Sequence, residues 1–211
     1  MTFGYTSCRN ATIRDIPDVV LIHVSAFPGF FLTRLGKNFL HVMYHAFLFH
    51  RSSIFVVCQN SSGQLVGFAV GALQRGSNDK LIGLRYAPQF LFAVLPTVFS
   101  SPRFVITRLA RRFFNSKSTF KIPDDSALLR SIAVAPTAQS SGSASSLLLF
   151  FENLAWGKGA KSVCLTTDRD NNDRAQRFYS RHGYVVIARF LQDGSRWMFM
   201  MSKNLKDMIH E

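Results

Sequence analysis

Acidic side chains are scarce in this chain. Its 211 residues carry 12 Asp and Glu against 25 Lys and Arg, a formal net charge of +13 and a pI near 10.3. A field of that sign disfavours cationic partners and favours phosphates, nucleic acid or an anionic membrane surface. Cysteine is scarcer still. Cys8, Cys58 and Cys164 form an odd, scattered set with no CxxC and no Cys/His pairing of zinc type. That indicates neither a disulfide framework nor a metal finger, and a reducing compartment is expected. Charged residues reach only 18% against 47% apolar, the opposite of the balance that keeps a chain disordered. There is no internal repeat and no low-complexity tract. The most apolar charge-free stretch, Ala87 to Pro102, is shorter than the ~20 residues of a spanning helix. Pro88, Pro96 and Pro102 interrupt or bound it. Met1 to Thr6 lacks the basic patch and apolar run of a signal peptide. The expectation is a cytoplasmic protein, with a peripheral membrane contact left open. At about 100–200 residues per domain, residues 1–211 form one domain carrying an insertion.

Alternation and helical periodicity order the elements. Residues 5–13 fit a strand ending at a helix start, with Asp15 as N-cap, Pro17 in the first turn and Asp18 at the positive dipole end. Val19, Val20, His23, Val24 and Phe27 share one helical face, and Pro28-Gly29 ends that helix. A second helix is predicted from about Thr33 to Phe49, with Leu35, Phe39, Val42, Met43, Ala46 and Phe47 on its apolar face. Residues 54–58 and 65–70 flank the turn Asn60-Ser61-Ser62-Gly63 and read as a hairpin. Leu128 to Val134 and Ser162 to Thr167 are strands. Helices follow them, one ending near Gly157 and one over Asn172 to His182, with Gly183 as its C′ stop. Val185 to Phe190 and Arg196 to Met201 close as a hairpin across Asp193-Gly194. This order implies a parallel pair inside a mixed sheet.

Two loops carry the chemistry. Gln139-Ser140-Ser141-Gly142-Ser143-Ala144 puts small residues where a helix begins. The first N–H groups of a helix lack internal partners and meet its positive dipole end, so this is either an anion cradle suited to a pyrophosphate or an ordinary serine-capped helix. The four serines 140, 141, 143 and 145 offer hydroxyl donors. In the second unit, Asn172 and Tyr179 lie two turns apart and share one face, with the small Ala175 between them. An extended ligand could lie along that face; the alternative is an Asn cap and a core tyrosine.

The two units, in this order and each following a strand, resemble the GNAT superfamily of N-acetyltransferases. Ile132-Ala133-Val134-Ala135-Pro136 followed by Gln139-x-x-Gly142-x-Ala144 is similar to its Q/R-x-x-G-x-G/A loop. Asn172-x-x-Ala175-x-x-Phe178-Tyr179, ending in Gly183-Tyr184, is similar to its next helix, and Ile13 to Asp18 to its opening. The likeness covers all but about 75–121. It implies an α/β (α+β mixed) fold: a central mixed twisted sheet of about seven strands, splayed parallel central strands and flanking helices. It further implies that acetyl-CoA binds as acyl donor between Leu128–Val134 and Ser162–Thr167. Backbone groups of Ile132, Ala133 and Val134 would pair with the pantetheine amides. Gln139, Ser140, Ser141, Gly142, Ser143 and Ala144 would hold the pyrophosphate, Asn172 would bond the pantetheine arm, and Tyr179 would protonate the leaving thiolate.

A general base is harder to find. Neither central strand carries a glutamate; Asp168 is the nearest carboxylate and reads more readily as a turn or cap residue. His23, His41 and His45 sit on N-terminal helices that usually line the acceptor side in this family. His41 and His45 share a face, but with no glutamate between them and no third ligand, no metal is expected. Residues 75–121 hold nine of the basic residues and one acid, Asp79, about +8 of the +13. A helix from Arg103 to Phe114 could lie on anionic lipid, cover the acceptor site with arginines toward a substrate carboxylate or phosphate, or present a solvated basic face. No nucleic-acid recognition motif accompanies the charge. Two functions follow. One is an acetyl-CoA-dependent N-acetyltransferase acting on a primary amine of a small molecule, an anionic one among the options. The other is a catalytically silent module of the same fold that binds an anionic membrane or a protein partner through the insertion.

Overall fold

The computed structural model describes residues 6–74, 89–90, 92–93, 122–192 and 196–206. The predicted helix 103–114, the turn at Asp193-Gly194 and nearly all of the basic insertion lie outside the described residues.

Seven strands form one sheet in the order β1-β2-β3-β4-β5-β7-β6. They are β1 (Ser7–Asn10), β2 (Ser53–Gln59), β3 (Leu65–Leu73), β4 (Ser126–Val134), β5 (Ser162–Asp168), β6 (Val185–Gln192) and β7 (Arg196–Asn204). Only β4 and β5 run parallel among the described strand pairs. The described helices are α1 (Ile16–Ala26), α2 (Phe31–Arg34), α3 (Lys37–Leu48), α4 (Ser143–Gly157) and α5 (Asp173–Arg181).

Strand alternation sorts the apolar residues into two cores. In β2, Ile54, Val56 and Cys58 join Leu147, Leu148 and Phe151 of α4. Phe55 and Val57 join Val19 and Val20 of α1 and Leu40 and Tyr44 of α3 on the opposite face. The sheet is thus covered on both sides. Among the described residues no helix is long and apolar enough to cross a membrane.

The expected elements are present with two corrections. The helix predicted over 33–49 is broken: Gly36 takes φ +96 and starts α3 afresh, a conformation that glycine adopts without steric cost. The new phase buries Leu40 and Tyr44, which the predicted face left out, while Phe39, Val42, Met43 and Phe47 are only half-buried. Asp15 does stand at the start of α1, but its carboxylate does not cap that helix. It accepts from the Thr12 N–H at 2.7 Å and the Thr12 hydroxyl at 2.9 Å, and from both terminal nitrogens of Arg9 at 2.7 Å. These bonds tie β1 to the helix start, and Arg9 holds the Asp15 carboxyl below its ordinary range.

Candidate active site

The centre of the sheet opens where its one parallel ladder stops. β4 and β5 pair from Ser126↔Ser162 to Leu129↔Leu165 and no further. Beyond that point β4 stays on β3 as far as Val134, and β5 stays on β7 as far as Asp168. A register shift in the β3–β4 ladder, with Val70 opposite Ser131 and Gly71 opposite Leu129, makes Arg130 the bulge residue at the point where the strands part.

The hydrogen-bond phase fixes which backbone groups face the gap. The Ala135 N–H donates to the Val66 carbonyl at 2.8 Å. Alternation in an antiparallel ladder then turns the N–H and C=O of Ala133 and Ser131 toward β3, and those of Ile132 and Val134 away from it, into the opening. The Arg169 N–H donates to the Trp197 carbonyl, so on the other wall the backbones of Thr166 and Asp168 face the gap. Of the three β4 residues singled out from sequence, Ile132 and Val134 present backbone groups to the opening. Ala133 is bound to β3 and buries its methyl against the α1/α3 face.

The 139–144 loop sits at the mouth. A short 3-10 turn, Pro136–Ala138, leads into it. Ser140 has φ +66, and Gly142, the N-cap of α4, has φ +83. A Cβ at Gly142 would meet nothing within 4 Å; glycine is required there by the backbone, and the space above it is open. The serine hydroxyls are less available than expected. Ser141 donates to the Ala138 carbonyl at 2.7 Å and lies 2.6 Å from the Ser143 hydroxyl. Ser143 is buried, and Ser145 is 2.9 Å from His182 Nε2. Gln139, Ser140 and Gly142 are exposed.

Helix α5 is fastened to this loop and to β5. Asn172 is its N-cap residue, and the Asn172 Nδ2 donates to the Thr167 Oγ1 at 2.7 Å, leaving its carbonyl oxygen as acceptor. The Gln176 amide donates to the carbonyls of Asp168 at 2.9 Å and Arg169 at 2.7 Å. Arg174 donates to the Gln139 Oε1 at 3.0 Å, joining the two sequence units directly. His182 joins them again at the far end. Its Nδ1 lies 2.7 Å from the Phe178 carbonyl, which can only accept, so Nε2 accepts from Ser145. Arg174, Arg177 and Arg181 are all exposed, spaced along one face of α5 beside the loop. The Tyr179 ring packs edge-on to Tyr184 at 5.7 Å and to Phe178 at 5.2 Å. Burial pushes the Tyr179 phenol up to about 12.

The sheet thus parts after one short parallel ladder, with a glycine-opened helix start at the mouth and the half-buried Tyr179 on the next helix. The model of the acetyltransferase (GNAT) family matches residues 17–184. The chain belongs to the GNAT acetyltransferase family. It is an enzyme of the N-acetyltransferase type. Solved structures agree on the fold. A spermidine N-acetyltransferase chimera from Vibrio cholerae superposes with a TM-score of 0.63 at 12% identity, over 98% of this chain and 99% of that one. The ribosomal-protein-S18-alanine N-acetyltransferase of Escherichia coli gives 0.59 at 13% over 95% and 94%. Ard1 from Thermoplasma volcanium gives 0.53 at 18% over 94% and 97%. No curated protein matches the sequence.

In this acetyltransferase the remaining sequence candidates fall away from the chemistry. Asp168 is gripped at both oxygens by Arg196, whose guanidinium also lies 5.5 Å from the Phe30 ring centre. A carboxylate so engaged is a strut between β5, β7 and the α1–α2 connection. His23 is buried, with Nδ1 2.6 Å from the Tyr44 hydroxyl; burial brings its pKa down to about 4, leaving it neutral and too weak a base for an amine. His41 and His45 line a groove of about 370 Å³ with Ile13, Ile16, Pro17, Val42 and Gln89. No group of three potential metal ligands occurs among the described residues. Sequence reasoning passed over Arg174, His182 and Arg196, which have partners 35, 37 and 28 residues away, and Gln176, whose partners lie eight and seven residues back; only the Arg174/Arg177/Arg181 spacing gave a local signal. It also passed over Glu152, 1% exposed, which accepts from the Tyr184 hydroxyl at 2.9 Å and Lys203 at 2.8 Å and so fixes the aromatic wall behind Tyr179.

Proposed function

We propose that the protein transfers the acetyl group of acetyl-CoA to the primary amine of a small molecule, such as an amino sugar or another biosynthetic intermediate, by direct attack in a ternary complex. The observation that carries this reading is the end of the β4–β5 ladder at Leu129↔Leu165, with the Ile132 and Val134 backbones turned into the gap. An extended amide chain fits there as an added strand. At the mouth, Gln139, Ser140, Ser141, Gly142, Ser143 and Ala144 hold the diphosphate, Ser141 and Ser143 through their backbones because their hydroxyls are engaged. Arg174, Arg177 and Arg181 add positive charge on that side. Asn172 accepts from an amide N–H of the pantetheine arm through its remaining carbonyl oxygen. Ala133 shapes the acceptor-side wall.

The chemistry requires a neutral amine, a donor to the carbonyl oxygen and a stabilised leaving sulfur. Deprotonating an alkyl amine of pKa near 10 at pH 7 costs roughly 4 kcal/mol. With Asp168 and His23 engaged or neutral, desolvation of the amine and release of its proton through water, oriented by the backbone carbonyls at the gap, to bulk solvent supply this step. The Val134 N–H serves the carbonyl oxygen. Tyr179, held near pKa 12, would lose roughly 5 kcal/mol if it gave its proton outright to a thiolate of pKa near 8.5. It therefore acts first as a hydrogen-bond donor to the sulfur, and the proton shed by the amine completes the thiol.

Thiol release from acetyl-CoA, followed across a panel of amino sugars, amino acids and polyamines, tests the proposal. The expected result is amine-dependent release, with kcat about 10–100-fold lower in Tyr179→Phe and KM for acetyl-CoA nearly unchanged. Equal kcat in the variant removes Tyr179 from the mechanism; no amine-dependent release from folded protein removes the reading.

A further inference from the structure

Two of the three cysteines lie directly opposite one another. Cys8 in the edge strand β1 is the cross-strand partner of Cys58 in β2. The ladder phase is fixed by the Ala11 N–H, which donates to the Phe55 carbonyl at 2.8 Å. Residues 11/55, 9/57 and 7/59 are therefore hydrogen-bonded pairs, and 8/58 is a non-hydrogen-bonded pair, the kind whose Cα atoms lie about 4.5 Å apart with side chains closest. That separation falls within the roughly 4.4–6.8 Å range of disulfides. Both side chains point to the α4 face of the sheet. Cys58 is fully buried and Cys8 half-buried, so small reagents reach the pair from the sheet edge. Cys164 lies three strands further across the sheet from Cys58, with its Sγ donating to Ser202 Oγ at 3.5 Å.

We propose that Cys8 and Cys58 form a redox-active dithiol that a hydroperoxide closes to a reversible cross-strand disulfide. The surroundings favour a thiolate. The neighbouring Cys8 thiol, with the Thr6 hydroxyl, brings the Cys58 thiol down to about 7, while Cys8 is pushed up as the holder of the shared proton. Ser143 is the first residue of α4, and a helix N-terminus stabilises a nearby thiolate. The charged sulfur attacks the peroxide, the O–O bond breaks, and a sulfenic acid forms. The second sulfur then attacks the first, the S–O bond breaks and the S–S bond forms. The two sulfurs lose two electrons, the peroxide gains them, and the two thiol protons leave in one water and one alcohol, or in two waters when the oxidant is hydrogen peroxide.

The test uses the full chain and hydrogen peroxide, followed by alkylation and non-reducing peptide mapping. The expected product is one molecule lighter by two hydrogens, with Cys8 linked to Cys58, Cys164 alkylated, and full reversal by dithiothreitol. Because the bridge closes a loop of about 50 residues, the oxidised protein should melt roughly 5–10 °C higher than the reduced one, and Cys8→Ser should show neither link nor shift. Three alkylatable thiols after peroxide, a link between two molecules, or a stable sulfinic acid at Cys58 each overturn the proposal. The wild-type map decides the matter even if Cys8→Ser folds poorly.

Discussion

The role proposed for Tyr179 depends on where its ring is kept. Phe178 and Tyr184 pack against it, and the raised phenol stays protonated at every pH at which the protein would be assayed. The pH profile should show this. kcat/KM should rise with pH as the acceptor amine loses its proton and should not fall again below about pH 10. A descending limb near pH 8 would assign the donor role to another group. His23 makes the opposite case. Buried and neutral, it titrates near 4 rather than at its ordinary 6.5. Between those values the unfolded chain takes up a proton that the folded chain refuses, so stability falls as pH drops through that window, by about 3 kcal/mol in all. His23→Gln, which keeps a polar partner for Tyr44, should flatten that loss in denaturant titrations at pH 7 and 4.5. The paired Asp15, held below 3.8, adds its own loss only at lower pH. An equally steep loss in the variant would place the titrating group elsewhere.

The strands and the two motif helices were legible because their signals are local: the apolar run at 54–58, the Asn60–Gly63 turn, and the glycine starts and stops at Gly142 and Gly183. Helix α3 was misread for a local reason too, since periodicity alone cannot say that Gly36 resets the phase. What the sequence did not carry is contact across it. Arg174 meets Gln139, and His182 meets Ser145, 35 and 37 residues away. Glycine inside β3 also has a meaning that only packing reveals. A Cβ on Gly71 would stand 2.2 Å from the Leu128 carbonyl oxygen, and one on Gly67 would stand 2.8 Å from that of Ala133. The β4 bulge brings the backbones together at Gly71, beside the point where the ladder opens. Gly71→Ala should therefore destabilise the fold by roughly 3 kcal/mol or more, at the upper end of overpacking, and more than Gly67→Ala. Denaturation midpoints that rank them the other way would mean the bulge is not the tight point.

At the scale of the whole molecule, the fold is a sheet covered on both faces and parted once. α1 and α3 cover one side, α4 the other, and α5 bridges from the end of β5 to the start of α4. The family and fold could be recognised from two short motifs because the parting, the helix start and the phenol are consecutive in the chain. The acceptor could not, because the residues around the far side of the gap, among them Phe30, Asp168 and Arg196, come from three separate segments.

The proposed reaction requires that the parted strands and the Gly142 turn bind a CoA thioester. Isothermal titration of the full chain with acetyl-CoA, beside Gly142→Val, addresses it most directly. The valine meets open space but cannot adopt φ +83 without strain, so the turn is disturbed while the core is spared. The prediction is saturable one-to-one binding to the wild-type protein, weakened at least tenfold in the variant, with both folded by circular dichroism. Folded wild-type protein that gives no binding heat and no competition with a fluorescent CoA analogue, or equal affinity in the two proteins, would contradict it.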